Sequence, residues 1–267
     1  MDNMPTVITI NLNNAEGLKS TIQSVIEQKN CNFEYIVIDG GSKDESVDVI
    51  KEYGDRISYW ISEPDSGIYN AMNKGIKKAS GDYLLFLNSG DVFVSDEVLF
   101  RCSLQSKDFD IVYGDLILLD NKGVKTVKKY PGTLNFWYVW EQSLPHPSSF
   151  IRKDLFEKIG LYNEVDKITS DWQFFMLALF AYNCSYLHLP YSLTVFNTDG
   201  LSNNSANLST INQEKSVFIN QNAQIIVKSG LFTEFILQED TLRKLRKSRI
   251  IRFITMLGLL KYLKTII

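Results

Sequence analysis

Four largely apolar runs before residue 92 each stop at a polar turn, and three helical stretches separate them. Thr6-Val7-Ile8-Thr9-Ile10, Phe33-Glu34-Tyr35-Ile36-Val37-Ile38, Ile57-Ser58-Tyr59-Trp60-Ile61-Ser62 and Tyr83-Leu84-Leu85-Phe86-Leu87 read as strands. Residues 16–28, 44–53 and 68–79 carry apolar side chains at helical spacing, such as Leu18, Ile22, Val25 and Ile26. This β-α-β-α-β-α-β alternation implies a mostly parallel sheet wrapped by helices. The carboxyl ends of such strands share one edge, and ligands bind just beyond it.

The polar residues fall at that edge. Asn13, Asp39, Asp65 and Asp91 each follow the end of a strand. Three carboxylates brought together there repel one another unless a cation or hydrogen-bond donors intervene. Taken alone, Asp91 in Asn88-Ser89-Gly90-Asp91 also fits an Asx turn, or the N-cap of a helix opening at Val92. Turn residues of that kind would fall at both edges of the sheet; these gather at one. No G-x-G-x-x-G follows the first strand and no G-x-x-x-x-G-K-[ST] occurs anywhere, which argues against dinucleotide and P-loop sites.

The pattern changes after residue 110. Residues 111–119 read as a strand, and Asp120-Asn121-Lys122-Gly123 as a hairpin turn into 124–127. Residues 128–140 hold Tyr130, Phe136, Trp137, Tyr138 and Trp140, either core or a platform for a flat sugar face. His146 lies between Pro145 and Pro147, which predicts extended backbone and leaves a site role and a structural one both open. His188 sits in a strand and reads as structural. Ser170-Asp171-Trp172 opens a very apolar helix; Ser170 or Asp171 caps it, or Asp171 serves as a general base. Residues 197–205 form a polar loop long enough to be a lid.

Charge is uneven along the chain. Residues 242–267 contain eight Lys/Arg and no Asp/Glu, so a net charge of −3 leaves −11 on the residues before them. One local contact with an anionic partner fits this better than a nucleic-acid footprint. The tail's apolar run is shorter than the roughly 18–20 residues of a membrane span, and basic residues beside it describe a helix lying on a membrane surface. Docking on the domain or on a twin subunit is the alternative. Three scattered cysteines and no leader-like N-terminus set the expectation of a reduced, cytoplasmic protein.

Five motifs, in this order and at these distances, resemble family 2 glycosyltransferases of the GT-A fold over roughly residues 6–202. They are Thr9-Ile10-Asn11-Leu12-Asn13-Asn14, Ile38-Asp39-Gly40-Gly41-Ser42-Lys43-Asp44, the stretch from Glu63-Pro64-Asp65-Ser66-Gly67-Ile68-Tyr69 to Lys74-Gly75, Leu87-Asn88-Ser89-Gly90-Asp91, and Ser170-Asp171-Trp172. The branch they look most like is bacterial polysaccharide and O-antigen enzymes. The resemblance implies a Rossmann-like, mostly parallel sheet with helices on both faces and a small antiparallel part. It implies a domain over 1–215, with a nucleotide-binding half at 1–91 and an acceptor half at 92–215, and a helical extension over 216–267. Asp39 would hold the uracil end of a UDP-sugar, with Thr9, Asn11 and Asn13 lining the same pocket. Asp65 and Lys74 would lie near ribose and phosphates, and Asn88, Ser89 and Gly90 near the nucleotide. Asp91 would hold Mn²⁺ or Mg²⁺ against the diphosphate, and Asp171 would deprotonate the acceptor. His146 and Trp172 would help bind acceptor or diphosphate.

The chain departs from the family where Gly90-Asp91 replaces two adjacent carboxylates and Asn88 replaces an Asp. The Q-x-x-R-W pattern of processive synthases is absent after Asp171, which implies transfer of one sugar per encounter. The implied acceptor is a saccharide on a polyprenyl diphosphate, met at the inner face of the bacterial plasma membrane. The competing expectation is a catalytically degenerate nucleotide- or sugar-binding scaffold of the same fold.

Overall fold

A computed structural model describes residues 4–105, 107–198 and 205–228. Residues 199–204 of the lid expected at 197–205, and the whole of the basic tail at 242–267, lie outside the described residues. The chain divides into two compact units, Met1–Ser205 and Ala206–Ile267. In the second, helix α8 spans Leu208–Lys228. No helix among the described residues is long and apolar enough to cross a membrane.

The first unit is built on strands β1 (Pro5–Asn11), β2 (Glu34–Asp39), β3 (Tyr59–Ser62) and β4 (Tyr83–Phe86), which lie in the order β3-β2-β1-β4 and run parallel. Between them come helices α1 (Ala15–Ile26), α2 (Ser46–Glu52) and α3 (Ile68–Lys78). β1 is buried at every position, as expected for a central parallel strand covered on both faces. The register pairs Asn11 with Asp39 and Asp39 with Ser62, so three strands end side by side.

Beyond β4 the sheet turns antiparallel. β8 (Ser149–Arg152) pairs with β4, then β6 (Ile111–Leu119) with β8, while β9 (Tyr186–Asn197) returns parallel to β6. β7 (Lys125–Lys128) completes the expected hairpin on β6. Helices α4 (Val98–Gln105), α5 (Phe136–Gln142), α6 (Asp154–Lys158) and α7 (Ser170–Phe180) connect these strands. The aromatic segment resolves into α5, with Trp137 and Trp140 half-buried and Phe136 in the core.

Two local expectations are corrected. Residues from Val92 do not open a helix: Val92–Phe93 is a short strand, β5, because its partner β9 arrives from a hundred residues downstream. The backbone at His146 is not extended. Only Pro145 is, and His146–Ser148 forms a 3-10 turn closed by the Ser148 N–H on the Pro145 carbonyl.

Gly75 fixes the distance between α3 and the sheet. A Cβ there would lie 2.5 Å from Cγ2 of Ile8, a fully buried, branched side chain of β1. Gly75→Val therefore overpacks the contact and adds a β-branched residue to a helix. It should destabilise the fold by about 1–3 kcal/mol in urea unfolding.

Candidate active site

The strand ends are tied together by one carboxylate. Asp39 is fully buried and takes hydrogen bonds from Asn11 Nδ2 (2.8 Å), the Gly41 and Ser42 amides (3.2 and 2.9 Å), the Ser42 hydroxyl and the Ser62 hydroxyl (2.6 Å). Burial pushes its pKa up, but the donors from Ser42, Ser62 and Asn11 outweigh that and hold it below the usual carboxylate range. Both oxygens thus hold the turn together. Thr9, beneath this edge, is fully buried with its hydroxyl on the Leu87 carbonyl at 2.8 Å.

Around this hub the other turn residues gather. Asn13 is exposed in a left-handed conformation (φ 51°), donates its amide to Ser42 Oγ and accepts from the Lys43 amide at 2.7 Å. Asp44 accepts from the Ala15 and Ser46 amides, joining the starts of α1 and α2 to the same turn. Asp65 accepts from the Gly67 amide, and a Cβ on Gly40 would fall 2.4 Å from its Oδ2. Glycine at 40 is therefore what lets the Asp65 carboxylate lie against the turn after β2. Lys74 is half-buried and pairs with Glu63 Oε1 at 2.8 Å. Two buried amide oxygens, Asn11 Oδ1 and Asn88 Oδ1, have no hydrogen-bond partner among the described residues. Such acceptors suit the N–H or O–H of a ligand.

The turn after β4 is stapled to α1. The Thr21 hydroxyl lies 2.8 Å from the Asp91 carbonyl and accepts from the Gly90 amide at 2.9 Å, while Asn14 Nδ2 donates to the Ser89 carbonyl. Gly90 has φ 102°, a conformation that glycine adopts without strain. Asp91 is buried, and its Oδ1 accepts from the Asn197 amide at 3.0 Å. Burial raises its pKa to about 7, and the Asn197 amide offsets this only in part. A hard carboxylate so short of partners fits a divalent cation. Among the described residues no group of three or more His, Cys, Asp or Glu could hold one unaided, so a cation there needs phosphate oxygens as well.

Asp171 stands in the first turn of α7, and its Oδ1 accepts from the Tyr69 hydroxyl of α3 at 2.8 Å. His146 is buried, stacks on Phe86 with ring centroids 4.8 Å apart and shares a 2.9 Å hydrogen bond with the Tyr162 hydroxyl. Burial lowers its pKa, against a smaller opposite pull from Asp171. Trp172 is buried and donates Nε1 to the Val139 carbonyl at 2.9 Å, bracing α7 against α5. His188 bonds Asp115 at 2.8 Å inside the second half, the structural role expected of it.

The family model for glycosyl transferase family 2 matches residues 6–160. This chain belongs to that family. A glycosyltransferase of Mycobacterium tuberculosis of undetermined role is 36% identical over 211 residues, covering 75% of this chain and 78% of the relative. A PGL/p-HBAD biosynthesis glycosyltransferase of Mycobacterium bovis is 30% identical over 178 residues, covering 64% and 68%. Among solved structures, S. aureus TarS 1–349 in complex with UDP-GlcNAc aligns with a TM-score of 0.69 at 18% identity, over 90% of this chain and 73% of that one. A mannosyltransferase of Pyrobaculum calidifontis in complex with GDP-Man and Mn²⁺ aligns with a TM-score of 0.62 at 13% identity, over 85% and 69%. These likenesses show the GT-A fold, and the family makes the chain a glycosyltransferase.

Sequence reasoning missed the residues that hold the site from elsewhere: Thr21, Asn197 and the Tyr69 contact. Tyr69 sits inside a quoted motif, but nothing local marks its partner 102 residues away.

The Asp91 shift has a consequence for stability. The folded chain keeps a proton that the unfolded chain releases near the ordinary aspartate range, so stability falls as pH rises from about 4 to about 7. Asp91→Asn keeps the acceptor for Asn197 and removes the buried charge. Without metal or nucleotide it should be more stable than wild type at pH 8, by up to about 4 kcal/mol, and indistinguishable from it near pH 4. Thermal melts across that range read the difference.

Proposed function

We propose that the chain is an inverting, non-processive glycosyltransferase that moves one sugar from a UDP-sugar to a saccharide acceptor. The observation that carries this is the meeting of two sets of groups. Donor-side residues gather at the parallel strand ends, and one carboxylate, Asp171, stands on a separate helix and is linked to them through α3. Asp39 would hold the uracil end, with Thr9, Asn11 and Asn13 around the same pocket and Asn88 beside the nucleotide, and Asp65 would lie near the ribose. Lys74 would exchange Glu63 for phosphate as the diphosphate departs. Asp91 would hold Mn²⁺ or Mg²⁺, which would supply charge neutralisation at the leaving diphosphate. Asp171 would take the acceptor proton as the hydroxyl attacks the anomeric carbon from the face opposite the diphosphate. A single displacement inverts the configuration.

The acceptor we propose is a saccharide on a polyprenyl diphosphate, in the assembly of cell-surface polysaccharide such as O-antigen. The eight basic residues of 242–267 support this, since each Lys or Arg near an anionic leaflet contributes about 1 kcal/mol of attraction. The enzyme would then work at the cytoplasmic face of the bacterial plasma membrane.

Thermal shifts with UDP, GDP, CDP and dTDP, each with and without Mn²⁺, test the donor side. UDP with Mn²⁺ should stabilise by about 2.7 kcal/mol at a hundredfold excess over Kd. A screen of sugars on the nucleotide selected then gives the donor. Asp171→Asn should abolish transfer and leave nucleotide binding intact. Nucleotide binding with no turnover that Asp171→Asn could remove would instead identify a degenerate scaffold.

A further inference from the structure

Asp171 is held more firmly than a base at a helix start needs to be. Its Oδ1 receives the Tyr69 hydroxyl at 2.8 Å, while no hydrogen bond to Oδ2 occurs among the described residues. Tyr69 is itself immobilised. It is buried in the first turn of α3, with its ring 5.6 Å from that of Tyr162. One turn further along α3, Asn73 and Tyr162 exchange hydrogen bonds, Nδ2 to the Tyr162 carbonyl at 2.9 Å and the Tyr162 amide to Oδ1 at 3.1 Å. Asn70 and Asn73 also both donate to Glu164. The Tyr162 hydroxyl meets His146 Nε2, and His146 lies flat on Phe86 of β4. The phenol is thus fixed on two sides before it meets the carboxylate.

We infer that Tyr69 is the positioning residue for Asp171, fixing one carboxylate oxygen so that the other is presented to the acceptor hydroxyl. This deepens the reading of Asp171 as the base and rests on it. A carboxylate on a first helical turn otherwise samples several rotamers, and a base displaced by an ångström loses much of its effect. The Tyr69 hydroxyl can act as a donor throughout. Burial first, then the charge of Asp171, hold its pKa well above the usual phenol range. Among the described residues, the titratable groups that face Asp171 are Tyr69 from α3, Tyr162 from the segment before α7, and His146 from the 3-10 turn. Tyr162 stays protonated through burial and His146 stays neutral for the same reason, which leaves Tyr69 as the group with a direct bond to the base. The same residue lies two positions from Gly67, whose amide bonds Asp65, so one helical turn carries both a donor-side contact and the support of the base.

The test is the steady-state kinetics of the full chain, on the nucleotide sugar that the thermal-shift and sugar screens select. Tyr69→Phe keeps the ring and its packing. It should lower kcat about tenfold and leave KM for the donor unchanged, because the base loses the donor that fixes it. Tyr69→4-fluorophenylalanine fills the place of the hydroxyl without donating and should lose as much, which decides the matter if Tyr69→Phe does not fold, whereas Tyr69→3-fluorotyrosine keeps the donor and should stay within about twofold of wild type. Unchanged kcat in the folded variants that lack the donor, with Asp171→Asn inactive, would overturn the inference and leave the base assignment standing. Normal turnover by Asp171→Asn, or a screen that selects no nucleotide, would remove the base assignment itself.

Discussion

The active edge depends on a buried charge that is fully hydrogen-bonded. Asp39 lies at the carboxyl end of β2, and its donors come from β1, from the turn that follows β2, and from β3. A carboxylate removed from water without partners would cost several kcal/mol and tend to take up a proton. With five donors it instead locks three strand ends in register. Asn11, Ser42 and Asn13 inherit their positions from it, and one buried amide oxygen of Asn11 has no hydrogen-bond partner among the described residues.

Asp91 is the opposite case. It too is buried, but it has one backbone donor, and its pKa rises to about 7. Two aspartates at one sheet edge thus differ through their partners alone: the first is satisfied by the fold, the second is left short. A group left short in a well-packed region marks where a ligand completes the structure. No second carboxylate shares the load: the neighbouring position is Gly90, left-handed in the turn that α1 staples through Thr21.

Much of this was legible in the sequence because the signals were local. Alternating strand and helix patterns located β1 to β4 and the turns after them, and Asp171 was found at a helix start. What the sequence hid was facing and long-range pairing. Thr9 and Trp172 belong to correctly placed elements and both are buried, and a parallel strand and an apolar helix covered on all sides give no alternation from which to read it. β5 looked like the start of a helix because two residues carry no pattern of their own, and only β9 makes them a strand. The bond between Tyr69 and Asp171 has no sequence signature, since its two ends lie in unrelated helices.

The amide that supports Asp91 belongs to Asn197, 106 residues further along the chain. During synthesis the nucleotide half emerges first, with its strands able to pair and its Asp39 hub able to form. Asp91, however, waits for the last strand of the sheet before it receives its donor. A nascent chain interrupted before residue 197 would therefore carry a Rossmann-like sheet in which Asp91 lacks its one backbone donor. Completion of that turn is deferred until translation has passed α7, the helix that carries Asp171.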